Sequence, residues 1–344
     1  MNQPGPVRMA VTRGALVAAA NWQVAVVQSV AESIFKLLLA VPILAGALLV
    51  ALLLGRDLVD LFSGDLREMV TQVANALLAR PVALVSFLFA LLIVLLGGSA
   101  LVFLVKGGTV TVLVDAERTA GGLERTALRW TALQRATVFS IERFTSGAAA
   151  LFRRYLLLGI SLMVVYALSG GLYLIALYGV YTAGEGESLG RWGLTALSST
   201  LLVVWITLVN LLYLLTQMVI AAGGRGVAAA IREVFAFLRA RLREIAGVFG
   251  FVLLLVVLAM AASIAATAAL GLIAFVPLAG LAVMPLQLAA LFARNLVFQY
   301  LGLTALAAYL NIYRSYSGGP VSVARPAGTR EAPATEGEPR NDQL

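Results

Sequence analysis

Long uncharged runs of apolar residues alternate along this chain with shorter segments that carry nearly all of its charge. A helix needs about 20 predominantly apolar residues to cross the hydrocarbon core of a bilayer, so each long run predicts a transmembrane helix. The runs lie at residues 37–54, 82–105, 155–181, 193–222, 246–274 and 281–312. The pattern therefore predicts an all-α integral membrane protein with six transmembrane helices.

The last third of the chain allows a second interpretation. Residues 246–312 are numerous enough for three spans, and four residues in this stretch could break a helix: Gly271, Pro277, Gly280 and Pro285. A seventh span near residues 271–296 would put Arg294 in a short turn. It would also carry the basic tail to the opposite side of the membrane, against the charge distribution described next, so we favour six spans.

Basic residues are distributed very unevenly between the two sides that six spans define. Of the 25 Lys and Arg residues, 20 fall before the first run, in the second and fourth connections and in the tail. Only four lie on the other side: Arg56, Arg67, Arg80 and Arg191. The positive-inside rule then predicts a multi-pass protein of the cell inner (cytoplasmic) membrane with both termini in the cytoplasm. Because topology already accounts for the net charge of +8, we predict no nucleic-acid partner.

The segments before the first, third and fifth runs have apolar residues three and four positions apart, with charged residues between them. This spacing is typical of an amphipathic helix in the headgroup plane on the cytoplasmic side. It is clearest at 226–245 and weaker at 24–34 and 123–152. Three basic residues of the clearest segment are candidate contacts for anionic lipid, with solvated charge as the alternative: Arg232, Arg239 and Arg243.

Two recurring pairs of residues suggest a three-fold repeat of amphipathic helix and transmembrane hairpin. Even-numbered runs are followed by Gly107-Gly108, Gly223-Gly224 and Gly318-Gly319, and odd-numbered runs are preceded by Phe35-Lys36, Phe152-Arg153 and Leu242-Arg243. The first interval is 117 residues between the basic residues and 116 between the diglycines, and the second is 90 and 95. Chance is the alternative, because glycine commonly follows a helix.

These patterns divide the chain into three parts. Residues 1–20 are predicted to be a cytoplasmic amino-terminal segment, and residues 21–314 the transmembrane domain. Residues 315–344 combine proline, glycine and mixed charge, which predicts a disordered cytoplasmic tail. The repeats would lie at about 21–108, 109–224 and 225–314.

Composition excludes several classes of protein. The chain is 61% hydrophobic and 12% charged, with a mean hydropathy of +0.96, which excludes a water-soluble domain. It contains no cysteine and no histidine, which removes thiol chemistry and the commonest general base and metal ligand. We find no nucleophile paired with a base and predict neither catalysis nor a cofactor.

Arg294 is the one ionisable residue well inside a predicted span, and such residues are functional candidates. At 100° per residue, Gln287, Asn295 and Gln299 share a polar face with it. Asn210 and Gln217 lie seven residues apart on one face of the fourth span. These six residues are the candidate ligand-binding set. Alternatively, the arginine snorkels to the interface and the amides form hydrogen bonds between helices.

The alternation of amphipathic segment and hairpin, the diglycines and the terminal sequence 307–314 (AAYLNIYR) resemble a broad group of bacterial six-span proteins. These are described as the membrane domain of glycerophosphodiester phosphodiesterase or belong to families of unknown function. The resemblance is one of layout and covers residues 22–314. It implies a non-catalytic membrane module, with no phosphodiesterase active-site residues present.

These observations lead to three functional hypotheses. The first is an inner-membrane protein without catalysis that transports a small or lipid-like anionic solute. The second is a membrane scaffold or accessory subunit that binds a protein partner or a second copy of itself. The third is a membrane-embedded enzyme that acts on lipids through Asp, Glu, Ser or Tyr at an interface. The lipid bilayer is a partner in all three.

Overall fold

The computed structural model describes residues 5–54, 78–121, 130–182, 188–274 and 279–318. These residues form helices and no strands, in the order α1 Pro6–Ala20, α2 Trp22–Leu54, α3 Pro81–Thr119, α4 Trp130–Arg135, α5 Ile141–Thr182, α6 Ser188–Gly223, α7 Val227–Ala274 and α8 Ala279–Ser317. Some of the predictions concern residues 1–4, 55–77 and 319–344, which lie outside the described residues. The last of these stretches contains most of the predicted tail.

Six of these helices, α2, α3, α5, α6, α7 and α8, are long and apolar enough to cross a membrane. The all-α multi-pass prediction is confirmed at this level. Residues 246–312 contribute to two long helices, and Arg294 lies well inside α8 rather than in a turn. Pro42 and Pro285 are accommodated within α2 and α8.

The amphipathic segments differ from the prediction, because they continue into the spans that follow them. α2 runs without interruption from Trp22 to Leu54, since neither glycine nor proline falls between residues 24 and 37 to break the helix. Of the segment at 123–152, residues 123–129 lie outside the described ranges, α4 ends at Arg135, and α5 runs from Ile141 through Gly147 into the span. α7 bends at the junction, where Arg241 has non-helical backbone angles (φ −130°, ψ 30°).

The first diglycine also differs from the prediction. Gly224 and Gly318 have positive φ and follow the ends of α6 and α8, as glycine does at a helix C-terminus. Gly107 and Gly108 instead lie inside α3, which continues to Thr119. A Cβ on Gly108 would lie 2.7 Å from the carbonyl oxygen of Phe144, so this glycine permits close packing of α3 against α5.

The buried core occupies one end of the bundle. It combines the starts of α2, α5 and α7 with the ends of α3, α6 and α8, and includes Val24, Leu113, Tyr155, Met218 and Leu310. We call this the basic end, because Arg13, Arg118, Arg225 and Arg314 belong to it. α1 is packed there against α8, which was not predicted for residues 1–20.

Away from the basic end, the long helices expose large apolar side chains. Examples are Leu44 (69% exposed), Leu172 (68%) and Leu272 (73%). We call this surface the apolar belt; its exposed side chains fall within residues 37–52, 82–96, 157–178, 192–208, 251–273 and 284–297. Such an extensive apolar surface is suited to contact with lipid chains.

Candidate functional site

A cavity of about 500 Å³ lies where the apolar belt meets the packed basic end. All six long helices contribute to its wall. The cavity is lined by the second halves of α6 and α8 and by the middle of α7. We call it the central cavity; its polar lining residues are Gln28, Lys106, Thr109, Thr207, Asn210, Tyr213, Gln217 and Tyr309.

Lys106 is the only ionisable lysine, arginine, aspartate or glutamate that lines this cavity in the described part of the chain. Its Nζ lies 5.2 Å from the centre of the Tyr213 ring, a distance typical of a cation–π contact. Within the described ranges no carboxylate oxygen comes within 4.0 Å of Nζ. Glu32 pairs instead with Lys36, at 3.5 Å. Glu32 is near enough to act on Lys106 electrostatically but forms its ion pair with Lys36, so the Lys106 ammonium group has no direct ion-pair partner among the described residues.

Four other lining residues hold buried polar atoms that have no hydrogen-bond partner among the described residues: Gln28 Oε1, Thr109 Oγ1, Tyr213 OH and Gln217 Nε2. A buried polar group left unpaired costs about 1–3 kcal/mol of free energy, so this part of the wall favours binding of a polar ligand. Gln28 Oε1 can only accept a hydrogen bond, whereas Lys106 Nζ, Tyr213 OH, Thr109 Oγ1 and Gln217 Nε2 can each donate one. Their chemistry matches the acceptor oxygens of a carboxylate or phosphate.

The rest of the lining is apolar. α3 contributes Phe103 and Val110, α7 contributes Val252 and Val256, and α8 contributes Leu306. Aliphatic groups of a ligand can be buried against these side chains, while a charged group cannot be solvated by them. A molecule with one anionic group and an apolar portion fits both parts of the wall.

Two of the six candidate residues from the sequence, Asn210 and Gln217, line the central cavity. The Asn210 side chain accepts a hydrogen bond from the hydroxyl of Tyr166 at 2.5 Å. The backbone carbonyl of Gln217 accepts one from Tyr155 at 2.8 Å, which leaves the side-chain amide available to the cavity. Asn210 thus joins α5 to α6 while facing the same space.

The structure does not bring the other four candidates into this cavity. Arg294 and Gln287 line a separate groove between α7 and α8. Asn295 donates a hydrogen bond to Ser29 Oγ at 2.8 Å and thereby joins α8 to α2. Gln299 is buried, with 8% of its surface exposed.

Lys106 was not among the candidate residues from the sequence. It directly follows the second apolar run, where a basic residue is already explained by topology, and nothing in the local pattern separates it from Lys36 or Arg153. Tyr213 does lie on the Asn210–Gln217 face, three residues after Asn210, so the polar face of α6 was a usable signal.

The three arginines predicted to contact anionic lipid, Arg232, Arg239 and Arg243, are exposed on α7. The opposite side of this segment buries Val234 and Phe237. The segment is therefore amphipathic, as the sequence pattern indicates, and its basic side is accessible to a ligand.

Comparison of this chain with models of protein families, with curated proteins and with solved structures gives no match.

Proposed function

We propose that this protein binds an anionic, lipid-like solute in the central cavity and moves it across the membrane. The observation that carries the proposal is Lys106, a lysine in the wall of a largely apolar cavity that forms no ion pair within 4.0 Å with any carboxylate of the described residues. Taking a charge out of water is costly unless it is paired, so an anionic ligand would be favoured at this position.

The adjacent polar atoms support a ligand with several acceptor oxygens. The donors are Tyr213 and Gln217 of α6 and Thr109 of the same helix as Lys106, while the unpaired oxygen of Gln28 on α2 can accept a hydrogen bond from water or from a hydroxyl group of the ligand. Water alone could satisfy these four groups, but it would not neutralise the lysine. The apolar remainder of the wall favours a solute with a hydrocarbon portion over a small inorganic anion.

Movement between leaflets provides the test. The full chain is reconstituted in phosphatidylcholine vesicles with acyl-labelled fluorescent phosphatidic acid, and dithionite is used to quench the outer leaflet over time. Lys106→Met should slow the exchange of the probe, whereas Arg135→Gln, which changes an exposed arginine of α4, should not. Losing a buried charged contact costs about 2 kcal/mol or more, equivalent to roughly 30-fold weaker binding. Equal exchange in wild type and Lys106→Met would refute the proposal.

A binding assay removes the dependence on transport rate. Decyl phosphate is titrated into the purified protein and the midpoint of thermal unfolding is recorded, with decanol as the uncharged comparison. The anionic probe should raise the midpoint of the wild type and of Arg135→Gln by more than it raises that of Lys106→Met. An equal rise with decanol would show that the charge is not recognised.

The finer topology belongs to the same proposal. We infer that the basic end faces the cytoplasm, that the membrane is the cell inner membrane and that α2–α3, α5–α6 and α7–α8 are three related hairpins. The 20-to-4 distribution of basic residues supports the orientation. Contacts within each of the three helix pairs are compatible with hairpins.

A second candidate function is assembly with a membrane partner or another copy of the chain. It is favoured by a surface of exposed small residues on α7, where a neighbouring helix could approach closely: Ala261, Ala262, Ala265, Ala266, Ala268 and Ala269. In this case, the mass of the protein in nanodiscs would exceed that of one chain, and substitution of Ala265 by Leu would reduce it.

A further inference from the structure

A second cavity, of about 550 Å³, lies between α7 and α8 within the apolar belt. We call it the lateral groove. One wall consists mainly of small residues of α7, and the other of α8 side chains around one cation. Its lining residues are Ala259, Ala262, Ser263, Ala266, Thr267, Leu270 and Gly271 of α7 and Gln287, Ala290, Leu291, Ala293, Arg294, Val297 and Phe298 of α8.

Arg294 is the only charged residue that lines the lateral groove in the described part of the chain. It is exposed, and none of the described residues forms an ion pair or hydrogen bond with it. Leu291, Phe292 and Val297 beside it expose 53%, 48% and 47% of their surfaces, so the guanidinium lies in the part of the helix best suited to hydrocarbon. A charged side chain surrounded by hydrocarbon is costly unless it is paired, so a counter-charge would be favoured at this position.

The lateral groove and the central cavity occupy successive stretches of the same two helices. On α7 the groove uses residues 259–271 and the cavity 249–256; on α8 the groove uses 287–298 and the cavity 302–309. At a rise of about 1.5 Å per residue, Arg294 is roughly 18 Å along α8 from Leu306 of the cavity wall. A cation is therefore present at two levels of the bundle, both bordering the α7–α8 pair.

We infer that the lateral groove receives an acidic phospholipid from the bilayer, with its phosphate at Arg294, and is the entrance through which this lipid reaches the central cavity. The inference rests on the proposed function and deepens it by naming the substrate class. A guanidinium binds phosphate oxygens with two parallel hydrogen bonds, and the alanine-rich wall leaves room for an acyl chain.

The lipid is favoured over a soluble anion because of where the groove lies. Its surroundings are the exposed apolar side chains of α7 and α8, such as Ile264, Leu288 and Leu291. Either kind of anion must bring its charge to the depth of Arg294, but only a lipid also has apolar chains that can be buried against the surrounding side chains and offset that cost. The occupant is thus a bilayer component with a phosphate headgroup.

The test uses photoactivatable phosphatidic acid in phosphatidylcholine nanodiscs that contain the full chain. Crosslinked peptides are identified by mass spectrometry, and photoactivatable phosphatidylcholine is the comparison lipid. Phosphatidic acid should label residues 259–271 at least tenfold more strongly than phosphatidylcholine. Arg294→Gln should remove this preference, Arg294→Lys should retain most of it, and Arg135→Gln should leave it unchanged.

The two proposals can fail separately. Arg294→Gln should slow interleaflet exchange of labelled phosphatidic acid about tenfold, yet leave the binding of decyl phosphate to the central cavity unchanged. If exchange depends on Lys106 and not on Arg294, the entrance is refuted and the proposed function stands. If exchange depends on neither, the proposed function is refuted. Equal labelling by both lipids, or crosslinks to a second copy at 259–271, would overturn the lipid site itself.

Discussion

Arg13 Nε lies 2.7 Å from Glu117 Oε1, so that residues 104 positions apart in the sequence form a buried ion pair. Only 7% and 0% of the two side chains are exposed. Asn311 Nδ2 donates to the same carboxylate at 3.2 Å, and Arg314 donates to the backbone carbonyl of Glu117 at 2.6 Å. One carboxylate thereby connects α1, α3 and α8 at the basic end.

Glu117→Gln should destabilise the protein strongly. The substitution removes the buried negative charge that faces Arg13 and Arg314, and breaking such a pair from one side typically costs about 3 kcal/mol or more. The free energy of unfolding can be measured by titration with sodium dodecyl sulfate. Glu244→Gln is the matched control, because its 2.6 Å pair with Arg241 is partly exposed and should contribute no more than about 1 kcal/mol. Equal losses in the two variants would contradict the structural role of Glu117.

The fold could be predicted from sequence where the signal is local. The apolar runs give the six long helices, because run length alone decides whether a helix can cross a bilayer. Helix boundaries were less accurate: Gly107-Gly108 has the composition of a helix end, but Gly108 packs closely against Phe144 inside α3, which continues to Thr119. The helix at residues 6–20 was missed, since its role depends on contacts with Glu117 and α8.

The candidate site was predictable only in part. Asn210 and Gln217 stand out because polar residues are rare in apolar runs, and both line the central cavity. Lys106 has the same local setting as any basic residue at the end of a span. What distinguishes it is its contact with the Tyr213 ring and its position in the wall of the central cavity, and both depend on residues from distant parts of the chain.

Gly14→Ala should loosen the attachment of α1. A Cβ at this position would lie 2.5 Å from the carbonyl oxygen of Thr304 and 2.8 Å from the backbone nitrogen of Ala308, and backbone atoms of α8 cannot rotate away. Overpacking of this kind costs about 1–3 kcal/mol. Trypsin should then cleave faster after Arg13, which is 6% exposed in the intact protein.

Gly170→Ala provides the comparison for this prediction. Nothing lies within 4 Å of a Cβ built on Gly170, in the middle of α5. Alanine there should leave cleavage after Arg13 unchanged and stabilise the helix by up to about 1 kcal/mol. The close approach of α1 to α8 would be contradicted if both variants behaved alike.

The orientation can be tested by single-cysteine labelling, because the natural chain contains no cysteine. Leu78, 66% exposed, lies at the end of the bundle opposite to the basic end, and exposed Ser317 lies at the basic end. A membrane-impermeant maleimide should label Leu78→Cys in spheroplasts and Ser317→Cys only after lysis. The reverse pattern would show that the positive-inside prediction is wrong for this chain.

Tyr213→Phe should raise stability and lower ligand affinity together. The hydroxyl of Tyr213 is buried without a partner among the described residues, whereas its ring contacts Lys106. Removing the hydroxyl eliminates a desolvation cost and keeps the ring, so the free energy of unfolding should rise by about 1 kcal/mol. Affinity for decyl phosphate should fall about fivefold, because one donor to the headgroup is lost.

Tyr173→Phe is the matched control: its hydroxyl is 2.7 Å from Ser199 Oγ, so this variant should lose stability and bind decyl phosphate normally. If Tyr213→Phe lost stability as well, its hydroxyl would have a protein partner and would not be available to a ligand.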